Sequence, residues 1–246
     1  MDRQASSLQS AFKTGFLVLI FEFLGSLVLP VFLRMLPGVY FIFAFFFLVS
    51  ICANISGSHF NPAVTIVFLL RKDPGKFSRP MAFAYIIVQF AGTFCGAMLA
   101  WMWLKDGGII RVADDKYIIQ AWFSETFASF LFIFTVLIQT EGSTAVSKDS
   151  GISILIIASA LGSVLFFNSE RISPAVNPAV AFSFYMTMWM DHGSEFLKYI
   201  WIHMVFPIVG GLIALGFYEF VYKKTQNLVD AEFEERSSKR EAMMGR

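Results

Sequence analysis

Charge is what this sequence has least of. Only 15% of its 246 residues are Asp, Glu, Lys or Arg, where an ordinary soluble domain carries about 25%. The 19 bases and 18 acids nearly cancel to +1, so the basic stripe of a nucleic-acid-binding protein is absent. Cysteine is equally scarce. Cys52 and Cys95, the only two, both lie inside apolar runs. That argues against a disulfide scaffold and predicts packed free thiols. The three histidines and scattered acids form no metal-ligand spacing, no nucleophile–base pair and no phosphate loop. No enzymatic activity, metal or cofactor is expected. What stands in place of charge is apolar: 57% of residues are hydrophobic, with 30 phenylalanines, more than a compact soluble core of this size needs.

Six runs are long enough to cross a bilayer, which takes about 20 apolar residues. They fall near 14–34, 38–55, 80–104, 118–139, 151–168 and 198–222. The first is too long for a signal peptide and lacks a small-residue cleavage site, so it is expected to be a retained span. Two shorter stretches, 61–70 and 177–190, each begin at Asn-Pro-Ala-Val, and the two copies are 116 positions apart. Asn is a favoured helix N-cap, and Pro suits the first helical position because its missing N–H is not needed there. Each stretch therefore predicts a re-entrant half-helix with its positive end turned inward. The irregular backbone before it is acceptable only where protein buries it or where it lines a wet cavity.

The order is span, span, half-helix, span, twice over. The first span of each half also carries a carboxylate, Glu22 and Glu125. Three spans per half is an odd number, so the second copy is inverted. The expected fold is an all-α membrane protein: six transmembrane helices plus two re-entrant half-helices in an inverted repeat. The expected domains are an N-terminal cytosolic segment 1–13, a channel-like domain 14–222 (repeats about 14–104 and 118–222), and a charged cytosolic tail 223–246, in which an amphipathic helix could begin at Ala231. Thirteen of the 19 bases fall on the side holding both termini and loops 71–79 and 140–150. This predicts a multi-pass protein with cytosolic N- and C-termini, in either the plasma membrane or an intracellular one.

Asn61 and Asn177 are the leading site candidates, because a side-chain amide carries two donors and an acceptor. Paired at half-helix starts, two such amides hold a passing water oxygen while the helix dipoles repel cations. Glu22 and Glu125 are expected to accept backbone N–H groups of the irregular segments; a proton relay is the alternative. His59 is expected to line the pore, with a packed, hydrogen-bonded ring as the alternative. His192 and His203 have no partner that the sequence identifies. Gly92 and Gly96, and Gly210 and Ala214, are small-x-x-x-small packing pairs.

Together these residues resemble the aquaporin (major intrinsic protein) family over about 15–222. Ser56-Gly57-Ser58-His59-Phe60-Asn61-Pro62-Ala63-Val64-Thr65 is similar to the family's first signature, and Asn177-Pro178-Ala179-Val180 to its second. Gln89-Phe90-Ala91-Gly92 resembles its Gln-x-x-Gly element, and Trp201–Tyr218 its last span. The resemblance implies four subunits, each with its own pore, as a homotetramer or within a larger membrane complex. It also implies a selectivity filter at Phe41, Leu165, Pro174 and Val180. The family normally has Arg where Val180 stands, and glycerol-type members follow it with Asp, where this chain has Ala181. The filter is therefore apolar on all four sides, similar to the unorthodox intracellular branch. Pro174 occupies the common cysteine position, so low mercuric chloride should not block the outer constriction. Arg171 is expected to pair with Glu170, with a swing toward the mouth as the alternative.

The functional expectation is a passive channel for water and small neutral solutes such as glycerol or hydrogen peroxide, working in the lipid bilayer without nucleic-acid partners. Two readings from other classes stand beside it. One is a weakly conducting or non-conducting structural subunit with the same fold. The other is a proton-coupled carrier using Glu22 and Glu125.

Overall fold

The computed structural model describes residues 2–72, 77–108, 110, 112, 114–166 and 172–244. Glu170 and Arg171 lie outside them, as do Lys76, Arg111 and Arg246. Among the described residues the chain forms α1 (Asp2–Met35), α2 (Val39–Ser56), α3 (Pro62–Leu70), α4 (Arg79–Leu104), α5 (Ile118–Gln139), α6 (Ser150–Leu165), α7 (Pro178–His192), α8 (Ile200–Phe217) and α9 (Lys223–Met244). A π turn, Tyr218–Tyr222, joins α8 to α9. An isolated antiparallel bridge pairs Val112 with Ile172.

Among the described residues, five helical segments are long and apolar enough to cross a membrane: Gly15–Met35, Val39–Ser56, Arg79–Leu104, Asp115–Gln139 and Ser194–Glu241. The sixth expected span, 151–168, is present as α6, whose described part has 16 residues and is about 24 Å long at 1.5 Å per residue. Phe43, Phe47, Phe83, Trp103, Phe123 and Phe166 are each more than half exposed. So many large exposed apolar side chains on apolar helices fit an outer wall that meets lipid.

The helices pair by the same rule in each half. In the first, α4 lies against α1 because Gly92 and Gly96 have no side chain. A Cβ on Gly96 would sit 1.9 Å from the Leu27 carbonyl oxygen, and one on Gly92 2.5 Å from that of Phe23. In the second, α8 lies against α5, and a Cβ on Gly210 would sit 2.3 Å from the Thr126 carbonyl oxygen. In lipid, where no hydrophobic effect pulls helices together, this close approach supplies the packing contact.

The half-helices α3 and α7 start next to each other and end on opposite faces. α3 ends at Arg71, which pairs with Glu141; we call this the Glu141 face. α7 runs to His192, beside Asp106 and Asp191; this is the Arg34 face, where Arg34 pairs with Asp106. The tail is helical throughout as α9, rather than from Ala231 only. It is exposed along nearly all its length and carries i,i+4 ion pairs, Glu232–Arg236 and Glu235–Lys239, as a solvated helix does. One expectation needs correction. Cys52 is a buried free thiol, but Cys95 is exposed, because it lies on the side of α4 turned away from the other helices.

Candidate functional site

The irregular segment before each half-helix turns through a left-handed residue just ahead of the Asn; in the first half Gly57 and Ser58 are left-handed as well. Phe60 has φ 49° and Val176 φ 58°, a region that costs a residue with a side chain of this size about 1–3 kcal/mol. The turn aims backbone N–H groups at a buried carboxylate. In the first half the Phe60 N–H donates to Glu22 Oε1, which also accepts from Gln89 Nε2 at 2.8 Å. In the second, Glu125 accepts from the N–H groups of Ala175 and Val176 at 2.8 and 2.6 Å. Glu22 and Glu125 are both fully buried, and neither lines a described cavity.

Straight after the left-handed residue, the chain becomes extended at Asn61 and Asn177 and then enters the helix through Pro62 and Pro178. Each Asn caps its own helix. Asn61 Oδ1 accepts from the Ala63 N–H at 2.9 Å. Asn177 Oδ1 accepts from Ala179 at 3.0 Å and Val180 at 3.4 Å. Each Nδ2 then reaches into the other half: Asn61 donates to the Val176 carbonyl and Asn177 to the Phe60 carbonyl, both at 2.8 Å. An amide nitrogen carries two hydrogens, so the described contacts leave one on each Asn uncommitted. The positive ends of α3 and α7 meet at these residues.

One cavity meets this junction and a second adjoins it. One of about 20 Å³ is bordered by Asn61, Asn177, His59, Phe41, Leu165 and Val180, among others, and has room for about one water molecule. One of about 300 Å³ opens toward the Arg34 face and is bordered by Phe41, Leu165, Pro174, Val180 and Arg34, among others. The four positions singled out as an apolar constriction therefore border one cavity, and three of them also border the cavity at the Asn pair. His59 is half-buried. Its Nδ1 lies 3.2 Å from Thr65 Oγ1, and its ring sits among Phe68, Phe77 and Tyr85. It is thus both packed and at the cavity wall.

The structure also shows residues that sequence reasoning missed. His203 has partners after all: Tyr185 Oη at 3.1 Å and the Ser173 carbonyl at 3.0 Å, which props the backbone beside Pro174. A buried ionisable residue within a span was the available signal. On the Glu141 face, buried Arg71 donates to Glu141 and, at 3.3 Å, to Thr140 Oγ1. Glu141 also receives Lys223 at 2.5 Å and the Tyr218 hydroxyl at 2.7 Å. Partial burial pushes the Glu141 carboxyl up, but hydrogen bonds from Lys223, Tyr218, Arg71 and Ser143 outweigh it and hold it at about 2. On the Arg34 face, the hydrogen bond from Arg34 holds the Asp106 carboxyl below its usual range, against the opposing effect of burial. Asp106, Asp191 and His192 come together there, all exposed. Asp106 is engaged by Arg34 and Asp191 by Trp101 Nε1 at 2.7 Å, so the cluster ties loops to helices.

A family model described as Major intrinsic protein matches residues 15–218. Among curated proteins, the chain is similar to the Probable aquaporin PIP2-8 of Arabidopsis thaliana, 31% identical over 193 residues, covering 72% of this chain and 65% of that one. This chain thus spans slightly under two thirds of the plant relative's length. It is also similar to Aquaporin AqpM of Methanothermobacter thermautotrophicus, 27% identical over 195 residues and 75% of each chain. Among solved structures, the aquaglyceroporin from Plasmodium falciparum superposes with a TM-score of 0.69 over 87% of this chain and 99% of that one. At 19% identity this is a likeness of fold.

Proposed function

The chain belongs to the major intrinsic protein family, whose members are channels rather than enzymes, and on that premise we propose that it is a passive transmembrane channel for water and small neutral solutes, glycerol and hydrogen peroxide among them. The observation that carries this reading is the reciprocal Asn pair. Each amide is held in place by its own helix cap and by the opposite half's carbonyl, yet keeps a hydrogen for a passing oxygen. Two helix N-termini meeting there oppose cations, and a space for about one water enforces single file. The residues assigned to the path are Asn61, Pro62, Ala63, Asn177, Pro178 and Ala179 at the junction, His59 at its wall, and Phe41, Leu165, Pro174 and Val180 as an apolar filter. Glu22 and Glu125 support the loops.

An apolar filter replaces few of a solute's hydration hydrogen bonds, so water flux is expected to be slow to moderate and ions to be rejected. The test is reconstitution in liposomes with osmotic shrinkage followed by light scattering. Flux above that of empty vesicles supports the channel; flux equal to theirs overturns it. Insensitivity to low mercuric chloride is expected, since neither Cys52 nor Cys95 borders a described cavity. The domain limits are proposed as 1–13, 14–222 and 223–246, with both termini cytosolic and four subunits per assembly.

A second reading has its own support. The passage narrows from about 300 to about 20 Å³ where Phe41, Leu165 and Val180 converge, and this is the geometry of a hydrophobic plug. If flux is absent while the purified protein remains folded and assembled, the chain is a structural subunit that kept the fold. Flux that depends on a pH gradient would instead favour the carrier reading.

A further inference from the structure

The 300 Å³ cavity on the Arg34 face has an almost wholly apolar wall. Among its described lining residues, Arg34 is the one charged side chain; Ser173 adds a hydroxyl, and the others are apolar or glycine. Arg34 stands in the last turn of α1. Its side chain is only 7% exposed, whereas that of Asp106 is 57% exposed. Arg34 Nη2 donates to Asp106 Oδ2 at 2.9 Å and to the Asp106 carbonyl at 3.3 Å. The Gly108 N–H donates to the second carboxylate oxygen at 3.3 Å. Asp106 does not line the cavity. The ion pair is therefore unevenly exposed: the buried Arg34 borders the cavity, and the Asp106 carboxylate is turned toward solvent.

A guanidinium offers five N–H donors in a rigid fork, and the described contacts to Asp106 run through one of its nitrogens. The anion is solvated and its field is screened, while the cation sits in a low-dielectric wall where its field reaches further. The filter position after the second Asn-Pro-Ala holds Val180, which supplies neither charge nor donor.

We propose that Arg34, clipped by Asp106, is the specificity-determining cation of this channel, so that α1 rather than α7 supplies the fixed positive charge and N–H donors that meet a solute. The class it selects is neutral and oxygen-bearing, able to accept a hydrogen bond from the fork, while small cations are turned back at the vestibule. This assignment rests on the channel reading. The hydrogen bond from Arg34 that depresses the Asp106 carboxyl keeps the clip closed at neutral pH.

The test uses the full chain in liposomes, reading osmotic water permeability and the uptake of methylammonium, a small cation, on the same preparations. In Arg34→Gln the ratio of methylammonium to water permeability is expected to rise about tenfold, the scale on which a fixed charge changes local ion concentration; Arg34→Lys should restore most of the exclusion. The double variant Arg34→Asp with Asp106→Arg rebuilds the ion pair but takes the cation off α1, and it should remain leaky. If this swap recovers wild-type exclusion, Arg34 only fastens a loop and the assignment is overturned. An unchanged ratio in Arg34→Gln overturns it as well. Should Arg34→Gln fail to assemble, Arg34→Gln with Asp106→Asn leaves no unpaired charge and gives the same readout. Wild-type protein that moves no more water than empty vesicles overturns the channel reading and this assignment together; water flux with an unaltered ratio overturns the assignment alone.

Discussion

The two halves of the molecule solve one problem with different residues. Each buries a carboxylate to hold a left-handed turn before a half-helix. In the first half the turning residue is Phe60, and its ring packs against Gly25, where a Cβ would come within 2.0 Å of Cε1. In the second the turning residue is the smaller Val176, and the position matching Gly25 is Ala128, fully buried. Glu22 places one oxygen on both Phe60 and Gln89, and its Oε2 has no hydrogen-bond partner among the described residues. Glu125 uses both oxygens, one for each of two N–H groups. The repeat thus preserves the hydrogen-bond topology and lets volume move between neighbours, which is how close-packed interiors tolerate change.

This comparison can be broken by exchanging what differs. The largest effect is expected at the helix crossings. Half one uses Gly92 and Gly96, while half two uses Gly210 and Ala214. Gly96→Ala drives a methyl into the Leu27 carbonyl and should cost about 3 kcal/mol, seen as a lower unfolding temperature in detergent. Ala214→Gly should cost only about 1 kcal/mol from helix propensity. Equal costs would mean the two crossings are equally close. Next come the carboxylates. Glu125→Gln turns an NH2 group toward a backbone N–H and should cost about 1–3 kcal/mol. Glu22→Gln keeps its one acceptor oxygen where both donors need it and should cost less, with water flux retained. The reverse order would show that the unpartnered Glu22 oxygen matters.

The Asn pair should differ more modestly. Asn177 caps two N–H groups and Asn61 one. Alanine at either removes a cap worth about 0.5–2 kcal/mol and lowers water permeability, with position 177 the costlier in unfolding measurements. The smallest effect concerns the far ends of the half-helices, where α3 is anchored by Arg71 and Glu141 and α7 ends exposed at His192. The Glu141 carboxyl is depressed to about 2. Its contribution to stability is therefore complete above the ordinary value of about 4.3 and is lost as pH falls through about 2. Unfolding temperatures between pH 5 and pH 2 should fall more steeply in wild type than in Glu141→Gln.

The spans and both half-helices were legible in the sequence because lipid imposes a length and Asn-Pro marks a helix start. That Glu22 and Glu125 accept backbone N–H groups of the irregular segments was legible for a related reason: irregular backbone inside a bilayer needs acceptors, and few were on offer. The partners of His203, the Arg71–Glu141–Lys223 cluster and the Arg34–Asp106 pair were not legible. Each joins residues 18 or more positions apart, and nothing local marks such a pairing. The exposure of Cys95 was hidden for another reason: an all-round apolar helix does not reveal which of its faces meets lipid.

Sequence by itself determined the number and kind of the elements, their inverted order and the two polar points within an apolar chain, since these follow from solvent and covalent geometry alone. Only the tertiary structure decided that each Asn amide donates to the other half's carbonyl, that Phe41, Leu165, Pro174 and Val180 border one cavity, and that Arg34 of α1 joins them there. Those are distances between segments far apart along the chain, set when glycines at the crossings let the helices close and the remaining space became the cavities.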